Sequence, residues 1–307
     1  MYRLKVILLM ALALLIAFQA NIHAAAPRQL LKDTTIDEVA WAPNELKFIA
    51  KPFRDPAYLI SRKNNTWEIM PLHIRENAKF FTWAHKSYQL LFWKDGNLFY
   101  SKLVDMASDA VLVAKTAETE PSWSPDDKYF AYISDNNVWI CSTDLKQKKK
   151  VTKRAVNEAI YPQWSNSGKD IIFQGAYKDG YTIYKVNVAT GETKVINDKL
   201  RCVYYKLQTW NDQILVIDET TYDFKVVTLD GKVGNVTNDG VSGRNIVQYG
   251  PNGLYFTDIG RNLCKLVKGS PRLVMKEVDY ASVSPRGTYL TYSVSDKFYI
   301  ADNPANR

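Results

Sequence analysis

One unit recurs down this chain at a nearly constant step. It reads Trp41-Ala-Pro-Asn, Trp83-Ala-His-Lys, Trp123-Ser-Pro-Asp-Asp, Trp164-Ser-Asn-Ser-Gly, Trp210-Asn-Asp-Gln, Tyr249-Gly-Pro-Asn-Gly and Val283-Ser-Pro-Arg-Gly. The steps between anchors are 42, 40, 41, 46, 39 and 34 residues, the period of an array in which each repeat is one four-stranded propeller blade. Within a repeat the order is constant. An anchor closes the innermost strand, a polar turn follows, then an alternating apolar run, a second turn, an aromatic-rich run and a short β-branched run. In the third repeat these are Pro121-Ser-Trp-Ser, Tyr129-Phe-Ala-Tyr-Ile, Val138-Trp-Ile-Cys and Val151-Thr; in the fourth, Pro162-Gln-Trp-Ser, Asp170-Ile-Ile-Phe, Tyr181 to Val186 and Thr193-Lys-Val-Ile. Such runs between Gly, Asn, Asp and Pro turns read as antiparallel strands.

The expectation is an all-β propeller of seven four-stranded blades, with six as the alternative if the irregular repeats at 41 or 83 drop out. A small sheet cannot bury both faces alone, so a flat ring at fixed height is needed to fill the wedge against its neighbour. Trp41, Trp83, Trp123, Trp164 and Trp210 are therefore read as core between blades rather than as a ligand cage. The last repeat has three strands before the chain stops. Arg28-Gln-Leu-Leu-Lys, which resembles the fourth-strand runs Val111-Leu-Val-Ala and Arg272-Leu-Val-Met, is expected to supply the fourth and close the ring.

Residues 1–25 read as a secretory signal peptide: Arg3 and Lys5, an apolar run from Val6 to Phe18, and a small-residue zone ending His23-Ala-Ala-Ala. That run is too short to span a bilayer. Residues 26–307 then form one domain, soluble and periplasmic or secreted, with no transmembrane segment after cleavage. The formal charge is +8, and removing Arg3 and Lys5 leaves 38 basic against 32 acidic residues, an excess that aids solubility and approach to anionic surfaces. Cys141 and Cys264 fall at equivalent positions in the non-adjacent third and sixth repeats, too far apart for a disulfide, while Cys202 begins the fifth; no pair has metal spacing, and buried free thiols are expected.

The unit at 121 to 127 with Tyr129-Phe-Ala-Tyr-Ile-Ser resembles the WD40-like (PD40) repeat of TolB-type periplasmic β-propellers, and the likeness extends with decay over residues 27 to 307. The same repeat occurs beside the hydrolase domain of prolyl oligopeptidases, whose Gly-x-Ser-x-Gly elbow this chain lacks. TolB itself carries an α/β domain before a six-bladed propeller, whereas here the propeller follows the signal directly. The resemblance implies an exported binding scaffold, because this fold hosts many unrelated activities.

Catalytic constellations are missing from the pattern. Beyond the signal only His73 and His85 remain; His85 takes the place of an anchor-turn Pro, and nothing selects either for a Ser-His-Asp triad. Charged residues cluster instead just before the anchors. Asp37, Glu38, Glu118, Glu120, Glu158 and Asp279 precede the anchors of blades 1, 3, 4 and 7, Arg201 and Arg244 those of blades 5 and 6, and Arg75 with Glu76 that of blade 2. Innermost strands line the channel, so these side chains are expected to ring one mouth, acidic over one arc and basic over the other, and to steer a polar segment of a protein partner in a cell-envelope assembly. A cation held by such carboxylates would instead suit a propeller hydrolase or lyase acting on a glycan, lactone or peptide, and Tyr177, Tyr181, Tyr204 and Tyr222 would suit glycan stacking. A basic run, Lys146, Lys148, Lys149 and Lys150 with Lys153 and Arg154, is placed in the third-to-fourth-strand turn of blade 3, where it would meet an anionic membrane surface. It lacks the interleaved aromatics that single-stranded nucleic acid requires. No cofactor is expected.

Overall fold

The structure, a computed structural model, describes residues 26–72, 74, 77–102, 110–116, 118–203, 207–237 and 243–306. The signal-peptide segment therefore lies outside the described residues, as do His73, Arg75, Glu76 and Tyr204.

Seven antiparallel sheets of four strands form a β-propeller. Strand β1 (Arg28–Leu31) precedes blade 1, which holds β2 (Ile36–Trp41), β3 (Lys47–Pro52), β4 (Tyr58–Lys63) and β5 (Thr66–Pro71). Blade 2 holds β6 (Ala78–Trp83), β7 (Leu90–Lys94), β8 (Asn97–Ser101) and β9 (Val111–Lys115), and blade 3 β10 (Ser122–Trp123), β11 (Tyr129–Ser134), β12 (Asn137–Ser142) and β13 (Lys148–Lys150). Blade 4 is β14 (Ile160–Trp164), β15 (Asp170–Tyr177), β16 (Gly180–Asn187) and β17 (Thr193–Val195); blade 5 is β18 (Gln208–Trp210), β19 (Gln213–Ile217), β20 (Phe224–Thr228) and β21 (Val233–Asn235). Blade 6 is β22 (Gly243–Gly250), β23 (Gly253–Asp258), β24 (Leu263–Val267) and β25 (Ser270–Met275). Blade 7 has β26 (Tyr280–Val283), β27 (Tyr289–Val294) and β28 (Lys297–Asp302). Its fourth strand is β1, which pairs antiparallel with β28 in the register Arg28↔Ile300 and Gln29↔Tyr299. The count is seven, not six, and the N-terminal strand closes the ring.

Each anchor sits at the end of its innermost strand, and the anchors of blades 2, 3 and 4 are tied to the blade before. Their indole Nε1 groups donate to Ala40 O (2.9 Å), Thr82 O (3.1 Å) and Ser122 O (3.2 Å). A buried ring of this size removes roughly 150–250 Å² from water, worth about 4–6 kcal/mol at ~25 cal/mol per Å². Trp210 departs from the pattern and is 37% exposed. The seam between blades 4 and 5 is filled by aliphatic and thiol side chains, Leu200, Cys202, Leu207 and Ile214, so no room remains for the indole. It turns outward to meet Tyr249 edge-on at 6.1 Å.

The turns after the anchors carry a second tie. Glu45, Asp127 and Asp212 each adopt a left-handed backbone, φ 61°, 60° and 57°. Their carboxylates accept amides from the preceding blade's turn, those of Arg286, of His85 and Lys86 (2.9 and 2.8 Å), and of Asn166 (2.7 Å). His85 adds an Nδ1 contact of 2.8 Å to Asp127, so its imidazole belongs to this joint.

All three cysteines are buried and unpaired. Burial pushes the Cys202 thiol up to about 12, with Asp218 and Glu219 adding to the shift. Burial likewise raises the Tyr100 and Tyr132 phenols to about 12. The folded state holds these protons more tightly than the unfolded chain. Their contribution to stability is therefore full below about pH 9 and lost as the pH climbs toward 12. The urea midpoint is expected to fall between about pH 8 and pH 10.5, and a constant midpoint would refute that linkage. Deleting residues 26–31 is expected to expose the β28 edge, lower the melting temperature and promote self-association in light scattering; a monodisperse protein with unchanged melting would remove the clasp from the ring's stability.

Candidate functional site

Because strands alternate direction, the starts of the innermost strands share a face with the turns between second and third strands. We call this the mouth face; the anchor turns lie on the opposite, anchor face. Two contacts show the sharing: Arg261, in the β23–β24 turn, meets Asp279 just before β26 at 2.7 Å, and Thr35 donates to Asp296 of the β27–β28 turn at 3.0 Å.

The central channel holds a cavity of about 840 Å³, walled by residues of, or immediately before, all seven innermost strands. Asp37, Glu38, Glu120 and Asp279, of the expected acidic ring, line it together with two cations, Lys79 and Arg261. Four of these six, Arg261, Asp279, Lys79 and Glu38, are engaged in contacts. Arg261 pairs with Asp279, whose other oxygen accepts Ser295 N at 2.9 Å. Lys79 pairs with Glu118 and lies 5.1 Å from the Trp93 ring. Glu38 accepts the amides of Phe80 and Phe81 at 2.7 and 2.6 Å. Asp37 is exposed and lines a second recess of about 300 Å³ between blades 1 and 2, with Lys51, Phe53 and Asn77 on its walls.

Glu38 has a structural task that explains its place. β6 carries a bulge between Lys79 and Thr82, with Phe80 at φ 58°, a costly conformation for a bulky residue that needs external support. The carboxylate of the preceding blade provides it. The same device recurs at the bulge of β14, where Tyr161 (φ 52°) donates its amide to Thr119 Oγ1 at 2.8 Å. At regularly paired positions, Tyr249 donates to Gln208 Oε1 at 2.7 Å and Val39 to the Tyr280 hydroxyl at 2.8 Å, the acceptor again coming from the preceding blade. Thr119, Gln208 and Tyr280 escape a search by charge, and they sit four, two and three residues before their anchors, so a fixed offset misses them as well.

The remaining expected site residues lie elsewhere. Glu158 accepts the Tyr181 hydroxyl. Arg201 lies outside the channel wall: its guanidinium is 5.2 Å from the Tyr177 ring, its Nη1 donates to Asp198 O at 3.1 Å, and Asp179 is 3.6 Å away. Arg244 is on β22, and its side chain lies outside the described residues. The acidic arc is thus present at the mouth, while Arg201 does not join a basic one. Tyr177 and Tyr181 are engaged in these contacts, and Tyr222 stands 56% exposed in the β19–β20 turn.

The basic run is not a turn. Lys148, Lys149 and Lys150 form β13, the outer strand of blade 3, pairing with Cys141, Ile140 and Trp139, and Val151 and Thr152 follow it. Alternation sends neighbouring side chains to opposite sides: Lys148 donates to Val113 O of blade 2 and Lys149 to Val188 O of blade 4 at 2.8 Å. The ladder can begin at Lys148 because the turn is closed by Ser142, whose carbonyl accepts Leu145 N at 2.9 Å. Lys146 lies in that turn, and Lys153 and Arg154 lie beyond the strand toward blade 4.

Among the described residues no group of three His, Cys, Asp or Glu side chains is placed to hold a metal ion, and no serine hydroxyl is hydrogen-bonded to His85. No known protein family's sequence profile matches the chain, and no curated protein shows significant similarity to it.

Replacing Glu38 with Ala is expected to leave two amides without their acceptor and to cost about 1–3 kcal/mol. Glu38→Gln should cost less and the exposed Asp37→Asn nothing measurable. Urea denaturation of the three variants decides; equal midpoints for Glu38→Ala and the parent would refute the support role.

Proposed function

We propose that this protein is a non-catalytic, exported scaffold of the cell envelope, periplasmic or secreted, that docks a protein partner on its mouth face. The reading includes kinship with the TolB-type propellers that the repeat resembles. The observation that carries it is where the apolar surface lies. Among the described residues the three most exposed large hydrophobic side chains are Ile259 (78%), Phe53 (67%) and Tyr222 (56%). They come from blades 6, 1 and 5, and all three stand on second-to-third-strand turns of the mouth face.

Apolar side chains presented around a recess rimmed by polar groups are the anatomy of a protein-recognition surface. Here the recess is the channel, and its rim holds Asp37, the Lys79–Glu118 pair and the Arg261–Asp279 pair. Ion pairs at a rim set orientation and association rate, while the apolar contacts supply most of the affinity. The basic strand adds no free patch of comparable order, because two of its ammonium groups are already drawn onto neighbouring blades.

The test is cross-linking in the native host, with mass spectrometry of the captured protein and of the joined residues. A reproducible envelope protein is expected, with links on the mouth face. Ile259→Asp and Phe53→Asp, with Asp37→Lys, should each reduce its recovery several-fold, whereas Leu273→Asp on the outer strand of blade 6 should not. Recovery unchanged in all three mouth variants would overturn the assignment.

A further inference from the structure

The seams between blades open on the anchor face, and at two of them the chain fills the opening with its own side chains. Between blades 7 and 1, Tyr289 stacks on Trp41 (6.1 Å, 10° between planes) and meets Trp67 edge-on at 5.5 Å. The Arg62 guanidinium lies 5.5 Å from the same ring and donates to its hydroxyl. Between blades 1 and 2 the plug is Tyr88, edge-on to Trp83 at 6.0 Å and capped by the Lys47 ammonium 4.3 Å from its centroid.

The seam between blades 3 and 4 has the same frame without either plug. Arg62 N donates to Leu46 O (2.7 Å) as Val188 N donates to Lys169 O (2.9 Å), so Val188 stands where Arg62 does. Tyr88 is the fifth residue after its anchor, and the fifth after Trp164 is Lys169, an exposed side chain. Trp67, opposite Arg62 in the ladder, has no ring counterpart: the turn 188–191 offers Val, Ala, Thr and Gly. Gly191 admits none, since at φ 71° a Cβ would lie 2.6 Å from Val151 O. What remains is a cavity of about 840 Å³ with Tyr129, Trp164, Ile140 and Pro125 on its walls.

We propose that this cavity between blades 3 and 4 is a binding site for a small planar aromatic molecule bearing a carboxylate. The ring takes the place that Arg62 and Trp67, or Tyr88, fill at those two seams, against Tyr129 and Trp164. The charge preference follows from the rim. Lys149 is held there through Val188 O at 2.8 Å and Lys169 is exposed, while the one acid on the lining, Asp126, is paired with Lys128 at 3.4 Å. Asn166, Ser167 and Gln147 add neutral donors around the opening, the mix of apolar wall and few polar groups that small-molecule sites share. The site is on the opposite face from the channel mouth and stands independently of what docks there.

The full-length domain titrated with indole-3-acetate by calorimetry is expected to show one saturable site, with indole, which lacks the carboxylate, binding about tenfold more weakly. Lys169→Tyr and Val188→Arg, which import the plugs of the other seams, should each weaken indole-3-acetate by about tenfold or more, while Asp37→Lys should not alter it. Hydroxyl-radical footprinting of the unsubstituted protein reads the site without any variant: indole-3-acetate should protect Tyr129, which is partly exposed. No saturable binding, equal affinity for indole, unchanged affinity in both plugged variants, or no protection of this ring would overturn the proposal.

Discussion

Everything in this molecule depends on the seam. A four-stranded blade has two faces and too little area to bury either alone, so each sheet is stable only as a wall of its neighbours' cores. The ring therefore has to close, and the closing strand comes from the other end of the chain: β1 completes blade 7, and Leu30 joins Phe298 and Ile300 in the core that blade 7 shares with blade 1. Packing alone does not set the angle between two blades. That is done by polar ties at three heights: indole N–H groups at the anchors, carboxylates at left-handed turn positions below them, and side-chain acceptors that hold the bulges near the mouth.

These ties explain why some strongly charged positions are structural. Glu38 and Thr119 differ in charge, yet both answer the same need, an amide left unpaired where a bulge breaks the ladder. Gln208 and Tyr280 accept amides of the next blade's innermost strand at regularly paired positions. A carboxylate in the channel wall is thus not by itself a ligand group. At Glu38 the negative charge is spent on two backbone N–H groups; at Asp279 it is divided between Arg261 and the Ser295 amide. Asp37 is the acid at the mouth whose exposure leaves its charge for a visitor.

The ring of seven was legible because the anchor is a local signal: a large ring, then Pro, Asn or Asp, at a step that only a repeated sheet explains. The clasp was legible from composition, since Arg28 to Lys32 resembles an outer strand with no partner. Two placements failed for physical reasons that the pattern does not carry. Trp210 has the anchor's position but not its environment, because aliphatic residues between blades 4 and 5 had already filled the wedge. The lysines of β13 look like turn residues by charge, yet an outer strand has one solvated edge and tolerates them, and long side chains can lay their stems along the sheet and set their ammonium groups on a neighbour's carbonyl. The acidic mouth was partly legible: Asp37, Glu120 and Asp279 converge, whereas Arg201 lies away from the channel beside Tyr177. The bulges that displace residues from a fixed offset leave no mark in a single sequence.

A repeated fold also makes its own departures informative. When seven blades share one frame, a position in one seam can be judged against its counterparts in the others. Val188 and Lys169 differ in this way from Arg62 and Tyr88 at the two plugged seams. A void of this size in the interior of a seam would cost stability in proportion to its volume, but this one opens to solvent at the anchor face, so that penalty is slight. The plugs at the other two seams then appear as the more demanding solution, since each orders a long or aromatic side chain at an entropic cost. Leaving the seam between blades 3 and 4 open loses little stability and keeps the partly buried Tyr129 ring at the opening above the buried Trp164, which is the physical condition under which a seam can acquire a ligand without weakening the ring that holds it.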